Sequence, residues 1–180
     1  MLRRPHITLC AALLGCASTR RPEPQLPRAV AAPRFSLRFL RGACPFVYAY
    51  EPWLACARGL DPARPLVALD ERDVRGYEVR GAPRFEVAIT LTDDAAARVR
   101  AARATLSEVP VLVSLDGQLL YAAREYLQQG AAAIRFPVIH LDRLNEGVLR
   151  VRPALMPSDD LRVIDRPELR AFFRALAVAR

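Results

Sequence analysis

The chain contains no lysine. All 27 of its basic residues are arginines, set against 19 acids for a formal net charge of +8. An excess of arginine and alanine without lysine reads as a codon-composition effect rather than the footprint of an anionic partner. Arginines and acids are interspersed along the whole length, and no basic cluster is interleaved with aromatics. Nucleic-acid binding is therefore not expected. Histidine is almost missing, with His6 and His140 the only two. That excludes a histidine-rich metal site or a two-histidine relay. There is no Gly-x-x-x-x-Gly-Lys-Ser loop, no Gly-x-Gly-x-x-Gly and no Gly-x-Ser-x-Gly elbow. No metal and no small-molecule cofactor are expected, and no internal repeat is visible.

Little remains that could do chemistry. His140 has Asp142 two residues on, a conceivable acid–base pair, although a structural histidine is the ordinary reading. Asp93-Asp94 and Asp159-Asp160 are adjacent pairs at turn or helix starts, which capping explains. A carboxylate pair for glycoside cleavage needs only spatial proximity, so sequence leaves it open. The expectation is a protein that is not an enzyme, with a hydrolase acting on an envelope polymer as the alternative.

Long hydrophobic runs are lacking too. Residues 7–15 are mostly apolar, but about nine residues fall well short of the ~20 that span a bilayer. With Arg3 and Arg4 before them they read as the core of a signal peptide covering 1–15. The segment ends in Leu13-Leu14-Gly15-Cys16, which resembles a bacterial lipobox. The Cys16 thiol would carry the diacylglycerol, placing palmitate-type chains in a membrane, and small Gly15 suits the scissile position. An ordinary secretory signal that happens to contain a cysteine is the other reading. Ala17, rather than Asp, follows the cysteine, so the usual sorting rule points to the outer membrane, facing the periplasm. Residues 16–34 carry Pro22, Pro24, Pro27 and Pro33 and read as a tether. Extended, it would reach about 50 Å at ~3.1 Å per residue.

Cysteine is scarce, with four in all. Cys10 leaves with the signal and Cys16 is lipidated, so Cys44 and Cys56 are left to pair in an oxidising periplasm. Such a loop gains about 3 kcal/mol in the chain-entropy model. Between them lie Phe46, Val47, Tyr48, Tyr50 and Trp53, the densest aromatic patch. It is either a stapled excursion packed on the core or an exposed contact surface. The second reading makes Phe46, Tyr48, Tyr50 and Trp53 candidate binding residues.

The stretch 85–121 has the clearest structure. Phe85, Val87, Ile89 and Leu91 alternate with Glu86, Ala88, Thr90 and Thr92, the period of a half-buried strand. Thr92 can cap a helix, with Asp93 and Asp94 favoured by the dipole in its first turn. Ala95, Val99, Ala102 and Leu106 form its apolar stripe. Residues 109–115 read as a second strand, Asp116-Gly117 as a type I′ turn, and 118–122 as a third strand.

These residues also resemble a known family. Leu91-Thr92, Asp94, the apolar strand to Leu115 and Asp116-Gly117 are similar, in order, to the periplasmic head subdomain of SecD, a protein-export accessory subunit. Ala122-Ala123 stands where that family has Ala-Pro, and Gln129-Gly130 where it has Gly-Gly. Upstream, 65–69 is similar to the family's short strand, and Asp73-Val74 to the entry of its first helix. The resemblance covers roughly 35–136. It implies a ferredoxin-like α+β domain, a small mixed or antiparallel sheet with helices on one face. It also implies a module that contacts polypeptide or an envelope protein partner, possible involvement in protein export included. A structural envelope lipoprotein docking on one folded partner is the alternative. The family's transmembrane helices have no counterpart here, so proton coupling is not carried over.

Residues 137–180 lie outside the resemblance and read as a C-terminal extension. Residues 148–151 suggest a strand and 161–164 a brief extended run. Asp165 can cap a last helix with Pro167 and Glu168 in its first turn. Leu169, Phe172, Phe173 and Leu176 make its apolar face, with Arg170 and Arg174 opposite. Such a helix either docks on the domain's own sheet or lies on anionic membrane.

Overall fold

The computed structural model describes residues 33–45, 49–81, 85–126, 136–153 and 163–179. Within them run eight strands: β1 (Phe35–Phe39), β2 (Val67–Asp70), β3 (Val74–Arg80), β4 (Glu86–Leu91), β5 (Pro110–Leu115), β6 (Gln118–Glu125), β7 (Val138–His140) and β8 (Val148–Arg152). Three helices accompany them, α1 (Tyr50–Gly59), α2 (Asp93–Ala102) and α3 (Pro167–Val178). The strands make one sheet in the order β2-β1-β5-β6-β7-β8-β4-β3. Its pairs are antiparallel except for β6 with β7. The fold is thus mixed α+β.

Local sequence explains the elements from β4 to β6. Val87, Ile89 and Leu91 face the core, as their alternation predicts. Phe85 stands outside the strand, with φ of +40°. Glu86 and Ala88, expected on a solvent face, are buried as well. The reason for Glu86 is that β4 lies between two strands whose arginines close over its carboxylate, Arg80 from β3 and Arg150 from β8. Thr92 Oγ1 accepts from Ala95 N at 3.3 Å and caps α2. Asp116 and Gly117 have φ of +49° and +77°. That is the type I′ pattern, and it sets Leu115 opposite Gln118.

β2 and β3 are consecutive in sequence, yet they occupy the two ends of the sheet order. Only the turn Glu71–Asp73 joins them. It is held by reciprocal bonds: Arg72 N donates to Asp70 Oδ1 at 2.8 Å, and Asp70 N donates to Asp73 Oδ2 at 3.0 Å. Four residue steps reach about 14 Å at most. Eight flat strands at ~4.8 Å spacing would put the edges about 34 Å apart. The sheet must therefore curl until its edges approach each other. Aromatic contacts agree: the Phe173 ring in α3 lies 5.0 Å from Phe35 on β1 and 4.9 Å from Tyr77 on β3.

The concave face carries the main core, including Leu37, Phe39, Ile89, Val113 and Val151. α2 joins it through Ala95, Ala96 and Val99, and α3 through Leu169 and Phe173. α1 does not. Its Trp53 packs with Cys44, Phe136 and Val138 in a separate cluster. Val138 and Ile139 point to opposite faces of β7, and Ile139 belongs to the main core, so α1 lies on the convex side. The expectation of helices on one face is corrected accordingly.

Other expectations also change. Residues 137–180 are no appendage: they supply β7, β8 and α3, and β8 sits between β7 and β4. Asp73 leads into β3, not into a helix, because Tyr77 and Val79 pack against the core at the spacing of a strand. Asp165 does not cap α3. The cap position is Arg166 with Pro167 following, and the Asp165 carboxylate binds Arg170 instead. Val163 and Ile164 lie in a turn, and Leu161 falls outside the described residues.

Candidate functional site

The two cysteines that sequence left over are joined: Cys44 and Cys56 form a disulfide with Cα atoms 5.9 Å apart, an ordinary spacing for a bridge. The bridge ties α1 to the segment after β1. Trp53 is 0% exposed. It stacks on Phe136 at 5.3 Å, and the Arg124 guanidinium lies 5.3 Å from its ring centroid. The Tyr50 hydroxyl accepts from Ala122 N at 3.1 Å. This satisfies a β6 donor beyond the two residues paired with β7. Tyr50 and Trp53 thus belong to a stapled helix packed on the sheet, and Trp53 offers no surface to a partner. Phe46, Tyr48 and the lipidation candidate Cys16 lie outside the described residues.

His140 and Asp142 do not assemble as an acid–base pair. The Asp142 carboxylate is held by Arg150, with Arg150 Nε donating at 3.1 Å. Burial pushes the Asp142 carboxyl up, but the Arg150 hydrogen bond and charge outweigh it and leave it below the usual range. Arg150 also reaches Glu86 at 3.1 Å, and Arg80 meets the same carboxylate at 3.3 Å. His140 lies edge-on to Tyr126 at 5.6 Å, its Nε2 buried without a hydrogen-bond partner. Burial, and then the Arg150 charge, lower its pKa to about 4, so the ring is neutral at pH 7. What sequence offered as chemistry is an ion-pair network beside a neutral imidazole. Among the described residues no group of three or more His, Cys, Asp or Glu could hold a metal ion. None of their helices is long and apolar enough to cross a membrane.

Another feature has the shape of a site. Between β3 and α3 runs a groove of about 470 Å³. Its floor is Tyr77, Val79, Phe173 and Leu176, all in the main core or packed against it. Tyr77 and Phe173 are stacked with planes 10° apart. Burial raises the Tyr77 pKa, with the Arg170 charge opposing, so the hydroxyl keeps its proton at neutral pH. Charged side chains form the rim. Arg75 pairs with Asp93 at 2.9 Å, Glu78 with Arg80 at 2.6 Å, and Arg170 with Asp165. Arg174 is exposed and has no ion pair among the described residues. A smaller depression of about 380 Å³, lined by Asp165, Pro167 and Ala171, shares Arg170 and Arg174 with the groove.

Sequence reasoning found the α3 half of this groove as an amphipathic helix and missed the β3 half. The available signal was the alternation of Tyr77 and Val79 with Glu78 and Arg80. It is short, and a register shift between Val74 and Gly76 interrupts it. No family model matches this chain, and no curated protein and no solved structure matches it either.

Proposed function

We propose that this domain is a binding module of the cell envelope that takes an extended polypeptide segment in the groove between β3 and α3. The observation that carries the reading is an apolar floor of four side chains, bounded by a terminal strand of the sheet and by a helix. An extended chain laid along it would set alternate side chains on that floor. Specificity would come from the pockets rather than from any reacting group.

The envelope setting has its own support. The Leu13-Leu14-Gly15-Cys16 lipobox and the proline-rich 16–34 tether favour a lipid-anchored protein, on the outer membrane by the identity of Ala17. The Cys44–Cys56 bridge suits an oxidising compartment such as the periplasm. The SecD-head resemblance favours polypeptide as the cargo. The order β4-α2-β5-β6 follows the first four elements of a ferredoxin-like β-α-β-β-α-β unit along the sequence only, since β7 and β8 stand between β4 and β6 in the sheet. Changing Cys16→Ala should release the protein from the membrane fraction; a variant that stays membrane-bound would refute the anchor.

Photo-crosslinkers at Arg75 and Ala177, both on the exposed rim, test the binding reading. Trp53 and Tyr121 are buried and unsuited to the purpose. Adducts with many different secreted chains support polypeptide capture. Adducts with one folded protein in fixed stoichiometry favour a structural lipoprotein docked on that partner. Robust hydrolysis of an envelope polymer, lost in His140→Ala, would overturn both readings.

A further inference from the structure

We infer that the groove selects acidic segments, with a carboxylate side chain of the extended polypeptide seated on Arg174 and its apolar neighbours on Phe173 and Leu176. This rests on the groove being a polypeptide site and adds the charge of its occupant. Three arginines stand on the rim, and two are already neutralised inside the molecule, Arg75 by Asp93 and Arg170 by Asp165. Arg174 borders both depressions and has no ion pair among the described residues. It lies one turn after Arg170, and like charges at that spacing repel on a helix. Asp165 relieves one of the two. A carboxylate from the occupant would relieve the other.

The pattern of the occupant follows from the walls. Phe173 and Leu176 form the floor, while Arg170, Arg174 and Ala177 run along the helix side of the rim. Successive side chains of an extended segment point to opposite sides. A segment alternating apolar and acidic residues would set the first kind on the floor and turn the second toward Arg174. A chain-terminal carboxylate suits this groove poorly, because its capture uses a nest of backbone N–H groups. The helix side here is mid-helix backbone, whose N–H groups are spent on their own turns. An anionic membrane surface fits poorly too, since Leu169 and Phe173, the centre of the apolar face of α3, are buried in the core.

Fluorescence anisotropy on the full-length protein tests this. One labelled peptide, blocked at both ends, alternates valine and glutamate; a second carries glutamine for every glutamate. The glutamate peptide should bind about fivefold more tightly, the scale of a partly exposed ion pair. That advantage should vanish in Arg174→Gln and at high salt, and persist in Arg58→Gln, which alters an exposed arginine on α1. Equal binding of the two peptides, or an advantage that survives Arg174→Gln, overturns the charge selection and leaves the groove reading standing. If neither peptide binds, both fall. Binding to phosphatidylglycerol vesicles but to neither peptide, lost in Arg174→Gln, would make Arg174 a membrane contact and overturn the inference.

Discussion

Phe173 of α3 stacks on Tyr77 of β3, with ring centroids 4.9 Å apart. Because the same Phe173 ring meets Phe35 of β1 edge-on at 5.0 Å, one side chain ties together two strands that stand far apart in the sheet order. It closes the curl and forms the groove floor at once.

Removing that ring should be costly. Phe173→Ala takes away a side chain that is 8% exposed and removes its ring contacts with Phe35, Tyr77 and Phe172. The expected loss is about 3–5 kcal/mol, from lost transfer energy and the cavity left behind. The urea midpoint measures it, and Phe173→Leu should recover a good part. A loss under ~1 kcal/mol would mean that α3 is not what holds the curl.

The Asp116-Gly117 turn can be tested without disturbing any packing. A Cβ at Gly117 would meet nothing within 4 Å. The cost of Gly117→Val therefore lies in the backbone, where φ of +77° resists a β-branched residue. About 1–3 kcal/mol is expected. An unchanged unfolding midpoint would contradict the turn, and with it the β5–β6 register.

Legibility in the sequence tracked the range of the forces involved. The β4, α2, β5 and β6 run was readable because its signals are local: alternation about Ile89, a cap at Thr92, two residues able to take positive φ at 116 and 117. α1 was not readable. Its cap position, Ala49, makes no side-chain hydrogen bond, and the helix is held by a disulfide and by Trp53 on Phe136, both long-range. The curl was hidden for a similar reason. Asp70 and Asp73 announce a tight turn, yet nothing near them says that the strands on either side lie at opposite ends of a sheet. The groove inherits that blindness, since Tyr77 and Phe173 are 96 positions apart in the chain and meet only because the sheet curls.

Reducing the Cys44–Cys56 bridge should free the ends of a short loop. The chain-entropy estimate is about 3 kcal/mol. Protein taken directly from cells should give a linked pair of peptides by mass spectrometry. A Cys44→Ser and Cys56→Ser double variant should unfold at lower urea by that amount. Since Trp53 also stacks on Phe136, the double variant should still fold. Finding two free thiols in freshly isolated protein would overturn the assignment.

His140 gives the chain a pH dependence of known sign. In the folded protein its pKa is lowered to about 4, first by burial and then by the Arg150 charge; Arg152 adds to this, while Asp142 and Glu86 oppose it. In the unfolded chain the imidazole returns to about 6.5. Between those values the unfolded state binds a proton that the folded state refuses, so stability is lost as pH falls from ~6.5 toward 4 and levels off below. A gap of that size corresponds to at most about 3.4 kcal/mol, and partial solvent screening reduces it to the order of 2 kcal/mol. Other groups move in the same range. Asp142, held below the usual carboxylate range, adds a loss at lower pH, whereas Glu125, raised chiefly by burial, gains stability as pH falls. The comparison of wild type with His140→Gln isolates the histidine. Between pH 7 and pH 4.5 the wild type should lose on the order of 1–2 kcal/mol more than the variant, read from urea midpoints. An imidazole resonance of His140 that titrates near its ordinary value, with parallel losses in the two proteins, would show that the ring is solvated and not packed beside Tyr126.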